Sequence, residues 1–205
     1  MQIAKIVSSV SHNHYRAKVL DTFDISPPPT LTDYGYSQFV TLSLNAPGQI
    51  IGVIVDTALV NSQPLDRQWR AAHDTTLEKI FSPDNLPTQG VLVDILVLGT
   101  LLTNSSTGVS YGDQTPPSIT LPVHTVVKTV SDADIESFHY NQQRQWQLNY
   151  YGYVLQSCPY QGETLLLRIV ERLQGYASAP VQRQLRLLRQ NLQWQQTWAP
   201  TRRTS

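Results

Sequence analysis

Val91-Leu92-Val93-Asp94-Ile95-Leu96-Val97-Leu98-Gly99-Thr100-Leu101-Leu102 is the strongest apolar run in this 205-residue chain. It follows neither the strict alternation of a half-exposed strand nor the spacing of an amphipathic helix. A short run dense in Val, Ile and Leu predicts a strand covered on both faces. Asp94 interrupts it, and twelve residues fall short of the roughly 18–20 needed to span a bilayer. The fold reading therefore starts from a buried strand.

The sequence on the N-terminal side supports the same class. Ile50–Val60 is rich in β-branched residues and predicts a second strand, entered through a turn at Asn45-Ala46-Pro47-Gly48. Phe39-Val40-Thr41-Leu42-Ser43-Leu44 predicts a strand before that turn. Tyr15, Ala17 and Val19 alternate with Arg16 and Lys18, and Ile3, Ile6 and Val7 begin another β-prone segment. Ser26-Pro27-Pro28-Pro29-Thr30 is a stiff loop, because three prolines remove three ladder donors. Between Val60 and Val91 lie a polar connector and a short amphipathic piece, Thr75–Phe81. On the C-terminal side, Asn104–Pro117 reads as a polar loop. Ile119–Val130 reads as a last strand, with Pro122 indicating an edge or a bulge.

At Ser131 the periodicity changes. Ser131-Asp132-Ala133-Asp134 has the form of a capping box, and early acids suit the positive end of a helix. Glu163–Gln174, followed by Gly175, predicts a second helix. Val181, Leu185, Leu188 and Leu192 lie at helical spacing in a third, running from Val181 to about Trp198. The reading is α+β: a β domain over residues 1–130, then a helical C-terminal subdomain over residues 131–205.

Composition narrows the functional classes. Charged residues make up 15% of the chain, against about 25% in an average domain, so the surface is polar rather than densely ionic. Cys158 is the single cysteine, which excludes an intramolecular disulfide. The N-terminus enters β-like sequence with no basic stretch and no apolar leader. Together these features point to a protein of the reducing cytoplasm. The zero net charge hides an asymmetry: residues 1–139 hold 13 acids and 7 basic residues, whereas residues 140–205 hold 8 arginines and 2 glutamates.

The N-terminal strands carry a family resemblance. An Ile/Val strand ending in Ser8-Ser9, an excursion, Phe39-Val40 and a Gly48…Gly52-x-Ile54 return together resemble the HAS barrel. That small β-barrel is shared by the HerA DNA translocase and the α and β subunits of ATP synthase. The likeness covers residues 1–60, with an outer bound near residue 100. It implies that the strands close into a small antiparallel barrel, and that the barrel binds neighbouring subunits or partners without doing chemistry. In those families an ATPase domain follows. Here no G-x-x-x-x-G-K-[ST] occurs, and the ten glycines never cluster into a phosphate cradle. The resemblance implies a stand-alone barrel with a different helical part and no catalytic residue.

Each candidate site has a functional and a plain reading. His12 and His14 would share one strand face, but a zinc site needs three or four ligands and no other His or Cys is near in sequence. Asp56 and Asp94 each interrupt an apolar strand. Such a pair could bind a metal for hydrolysis or act as general acid and base, whereas the plain alternative is solvent exposure or a structural ion pair. Asp132, Asp134, Glu136 and His139 could hold a hard cation, but helix capping already accounts for the acids. Cys158 has no evident His or Asn partner and precedes Pro159 in a turn.

The C-terminus is the most informative stretch. Arg183, Arg186 and Arg189 recur every three residues and form a drifting ridge, followed by Trp194, Trp198, Arg202 and Arg203. Arginine beside exposed aromatic rings suits a protein-interface hot spot, or phosphate contact with stacking. The plain alternative is that the ridge is solvated or bonded to the acidic half. The sequence thus predicts a non-catalytic adaptor or assembly module that binds a protein partner through these residues, within a larger ATPase or nucleic-acid-processing complex. Direct nucleic-acid binding through the Arg-rich helix is the alternative, and a metal-dependent hydrolase using Asp56 and Asp94 the second. No cofactor or metal is expected. Self-association is left open.

Overall fold

The computed structural model describes residues 1–43, 48–60, 90–175 and 177–198, with side chains through residue 195. The expected piece at Thr75–Phe81 and the Asn45–Pro47 part of the turn lie outside these residues. Within them are seven strands and four helices. The strands are β1 (Gln2–Ser11), β2 (His14–Val19), β3 (Phe39–Ser43), β4 (Gln49–Val60), β5 (Gly90–Thr103), β6 (Ser110–Asp113) and β7 (Val126–Thr129). The helices are α1 (Asp132–Phe138), α2 (Tyr151–Ser157), α3 (Gly162–Gln174) and α4 (Ala179–Trp198).

Six strands close into an antiparallel barrel in the order β2-β1-β7-β3-β4-β5, and β5 returns to β2 to complete the ring. Closure leaves these strands without a continuous open edge. β6 pairs with the end of β5, from Thr100 opposite Asp113 to Thr103 opposite Ser110. The interior is filled by alternate residues, among them Ile6, Tyr15, Leu42, Ile54, Ile95 and Val127. Tyr15 reaches across this core, and its hydroxyl accepts the Leu121 N–H at 3.0 Å.

A second core lies outside the barrel wall. Phe39, Ile51, Val53, Leu96 and Leu98 point away from the interior and pack with Ile135 and Phe138 of α1, Val154 of α2, Leu165 and Ile169 of α3, and Leu185 of α4. β3, β5 and residues 50–55 of β4 are therefore buried on both faces, which is the physical reason their sequences are apolar without alternation. The helices and the barrel share one continuous apolar cluster. Among the described residues no helix is long and apolar enough to cross a membrane.

Three local readings need correction. The expected strand Ile119–Val130 contributes only Val126–Thr129 to the sheet, because Ile119 and Val123 lie exposed and His124 takes a positive φ of 68°. The stretch read as a polar loop contains β6, and the sequence suggested no helix at α2. At Ser131 the N-cap forms as expected, with Asp134 N–H donating to Ser131 Oγ at 3.1 Å. The return bond differs: the Asp134 carboxylate accepts from the Ser131 hydroxyl at 2.7 Å instead of from its backbone N–H.

Polar groups fix the joint between barrel and helices. Gln114 is buried; its amide nitrogen donates to the Phe138 carbonyl at 3.1 Å and its oxygen accepts the Asn149 N–H at 2.6 Å. Gln147 donates to the Gly112 carbonyl at 2.7 Å. Gly112 has to be glycine here, since a Cβ would overlap the Phe138 carbonyl. Arg172 of α3 ties the wall to α1: it bonds Gln38 Oε1 at 2.6 Å and Asp132 Oδ1 at 3.1 Å, and its guanidinium lies 5.8 Å from the Phe39 ring centroid.

Candidate functional site

The outer face of α4 assembles several of the residues singled out at the C-terminus. Its Gln, Arg and Leu content favours helix, and Pro180 is tolerated in the first turn, where no intrahelical donor is lost. Val181, Leu185 and Leu192 are buried against α3 and the outer core. At about 100° per residue, Arg183, Leu187, Gln190 and Trp194 fall on the opposite stripe, spaced i, i+4, i+7 and i+11. Leu187 is 68% exposed and Trp194 62%. Arg183 and Arg186 are exposed as well, and neither forms an ion pair with a described residue.

Arg189 behaves differently. Each three-residue step stops about 60° short of a full turn, so Arg189 lies about 120° around the helix from Arg183. That rotation brings its guanidinium to Glu171 of α3 at 3.3 Å. The ridge expected from Arg183, Arg186 and Arg189 is thus divided, with two arginines facing outward and one holding α4 to α3. Trp198 ends the helix, but its side chain and the whole of Arg202 and Arg203 lie outside the described residues. Leu187 is a surface residue that the sequence reading passed over. Its signal was present, since it stands off the 181–185–188–192 stripe.

Among the described residues one ion pair joins residues 1–139 to residues 140–205, Arg172 with Asp132 at 3.1 Å. Arg168 and Arg189 both turn to Glu171 within the helical layer.

The barrel does bring Asp56 and Asp94 together. They are opposite one another across β4 and β5, beside an irregularity between Ile54 and Asp56, and Arg16 is opposite Asp94 on the other side. Arg16 holds Asp94 in a two-point contact, Nε to Oδ1 at 2.7 Å and Nη2 to Oδ2 at 2.8 Å. Hydrogen bonding to Asp94 raises the Arg16 pKa above its ordinary value. Asp56 is exposed and accepts the Thr57 N–H at 2.8 Å. The order Arg16–Asp94–Asp56 is therefore a cation and two carboxylates in a row, with the central acid held at both oxygens by the guanidinium. His14 stands one register step away, and burial lowers its pKa despite the attraction of Asp94. His12 is elsewhere, its Nε2 3.0 Å from the Pro117 carbonyl oxygen. Among the described residues no three His, Cys, Asp or Glu side chains are grouped to hold a metal ion.

The family model of a domain of unknown function, DUF8166, matches residues 1–201. The chain belongs to that family. The matched span takes in both the barrel and the helices. No curated protein matches the sequence.

Two further candidates in this DUF8166 chain have structural roles. The acids at the start of α1 are separated from His139: Asp134 bonds the N-cap Ser131 and Asp132 pairs with Arg172, whereas His139 points into the core and is 1% exposed. His139 Nδ1 lies 2.7 Å from the Ile135 carbonyl oxygen and Nε2 lies 2.7 Å from the Tyr150 hydroxyl. A carbonyl can only accept, so Nδ1 carries the proton and Nε2 accepts from Tyr150. Burial lowers the His139 pKa to about 4, which keeps the ring neutral. Cys158 caps the end of α2; burial raises its pKa, the opposite of what an activated thiolate requires.

Proposed function

We propose that this DUF8166 domain is a non-catalytic adaptor or assembly module, and that the outward stripe of α4 docks a protein partner with an acidic face. The observation that carries the reading is the presence on one helix of two exposed arginines, Arg183 and Arg186, that form no ion pair with a described residue, beside the exposed Leu187 and Trp194. Interfaces are enriched in Trp and Arg, and the exposed Leu187 adds apolar surface beside them. The HAS-barrel resemblance of residues 1–60 supports the same reading, since barrels of that type are used for subunit contact. Membership of a larger ATPase or nucleic-acid-processing complex follows from that resemblance and belongs to the proposal.

A protein partner fits better than nucleic acid. Duplex binding draws on many phosphate contacts, and on the described part of α4 only two arginines face outward while the third is engaged by Glu171. The test is a triple variant, Arg183→Gln, Arg186→Gln and Leu187→Gln, which keeps helix propensity. Partners captured by the unaltered chain and identified by mass spectrometry should be lost by the variant while its melting temperature is unchanged. Binding to the unaltered chain should weaken only modestly with salt; a steep log–log fall would assign the stripe to nucleic acid instead. A folded variant that retains every partner would overturn the proposal.

A further inference from the structure

A cavity of about 340 Å³, open to solvent and lined mostly by exposed residues, lies between the β5–β6 connection and the short hairpin that follows α1. Asn104, Thr107, Val109, Tyr111, Gln142 and Arg144 line it. Its volume falls in the range that small-molecule sites occupy. Among the described residues Arg144 is its only charged lining residue, no carboxylate faces it, and Arg144 forms no ion pair.

The hairpin holds that guanidinium in place. Tyr140 bridges Trp146, and the Asn141 side-chain oxygen accepts the N–H groups of Gln143 and Gln145 at 3.0 and 2.9 Å. Arg144 sits at the tip with a φ of 61°, a conformation that non-glycine residues seldom adopt and that concentrates at functional sites. Its guanidinium carbon lies 4.9 Å from the Tyr140 ring centroid. Stacking of this kind covers one flat face of the group and leaves its N–H edges to donate.

Two of the neutral lining groups, Asn104 and Thr107, have donors left to offer. Asn104 Oδ1 is already taken by Ser106 N–H at 2.9 Å, the Ser106 hydroxyl at 2.8 Å and Thr107 N–H at 3.4 Å, so its amide nitrogen is the end left to offer. Thr107 Oγ1 accepts the Val109 N–H at 3.4 Å, which leaves its hydroxyl hydrogen to give. Tyr111 and Gln142 add a phenol and a second amide. A fixed cation with this many neutral donors and no acid matches an anion with several acceptor oxygens. A carboxylate has two oxygens and would leave donors idle, whereas a phosphate monoester presents three terminal ones. Val109 and Tyr111 supply an apolar flank for the rest of the ligand.

We propose that this cavity binds the phosphate group of a small phosphomonoester, with Arg144 as the principal anion contact. The test uses the full chain, with backbone amide chemical shifts followed during titration with AMP, inorganic phosphate and adenosine. AMP and inorganic phosphate should shift the amides of Asn104, Thr107, Tyr111 and Arg144 at millimolar concentration, and adenosine should not. Arg144→Asn retains a residue that tolerates positive φ and should weaken AMP about tenfold or more with an unchanged melting temperature. Gln142→Glu, which adds an acid to the lining, should weaken it likewise and serves as the second variant if the first does not fold. The proposal is overturned if neither phosphate ligand shifts these amides, if adenosine binds as well as AMP, or if a folded variant binds as the unaltered chain does.

Discussion

Acidification should destabilise this domain chiefly through one fully buried imidazole, His139. His139 is surrounded by the rings of Phe39, Phe138 and Tyr150, and both of its nitrogens are committed, one to a carbonyl and one to a hydroxyl. Its pKa falls from the ordinary 6.5 to about 4 on folding. The folded pKa is depressed, so the contribution is complete above the unfolded value and is lost as pH falls from 6.5 towards 4. In that window the unfolded chain takes up a proton that the folded chain refuses. At 1.36 kcal/mol per unit the full difference is about 3 kcal/mol, of which about 2 kcal/mol is gone by about pH 5. Burial of His14 lowers its pKa too and acts in the same direction, so the unaltered chain alone would not isolate the effect. The comparison is with His139→Gln, which keeps a polar side chain but cannot titrate. Urea unfolding should show the variant less stable near neutral pH by about 1–3 kcal/mol, from imperfectly replaced buried hydrogen bonds. That deficit should shrink by about 2 kcal/mol on moving from about pH 7 to about pH 5. A deficit that stays constant across this range would refute the claim that His139 is held neutral by the fold.

Other contacts yield sharper contrasts. Asp94→Asn should cost about 1–2 kcal/mol in chemical denaturation, because it breaks a two-point guanidinium contact, whereas Asp56→Asn on the exposed neighbour should change stability by less than about 0.5 kcal/mol; equal effects would refute the assignment. Leu185→Ala should cost about 2–5 kcal/mol as a core deletion, and Leu187→Ala, two residues along the same helix, about 0.5 kcal/mol or less. Gly112→Ala should lower the melting temperature, with a loss of about 1–3 kcal/mol, since the added methyl meets the Phe138 carbonyl; an unchanged melting temperature would show that the β6–α1 contact is looser than described.

How much of this was legible in the sequence depended on the range of the interaction that decided each feature. The run Val91–Leu102 announced a doubly covered strand, because burial on both faces removes the need for alternation, and β5 is such a strand between two cores. Ser131 announced its helix, because a cap is made with a residue three positions away. β6 gave no sign, since Ser110-Tyr111-Gly112-Asp113 has no apolar period; it forms where β5 offers an edge and where Gly112 admits the carbonyl at the end of α1. α2 was hidden for a similar reason, as Tyr150 at its start makes no side-chain cap and its order comes from packing on the outer core. Asp94 could be flagged as an acid in an apolar strand, but its partner Arg16 is 78 residues away and became adjacent only when β5 paired with β2. The Arg ridge shows the same limit from the other side. Helical spacing predicts that Arg189 is rotated from Arg183, but only the placement of α3 supplies Glu171 on that side. Arg183 and Arg186, left facing outward near Leu187 and Trp194, therefore form no ion pair among the described residues, and the adaptor reading rests on them.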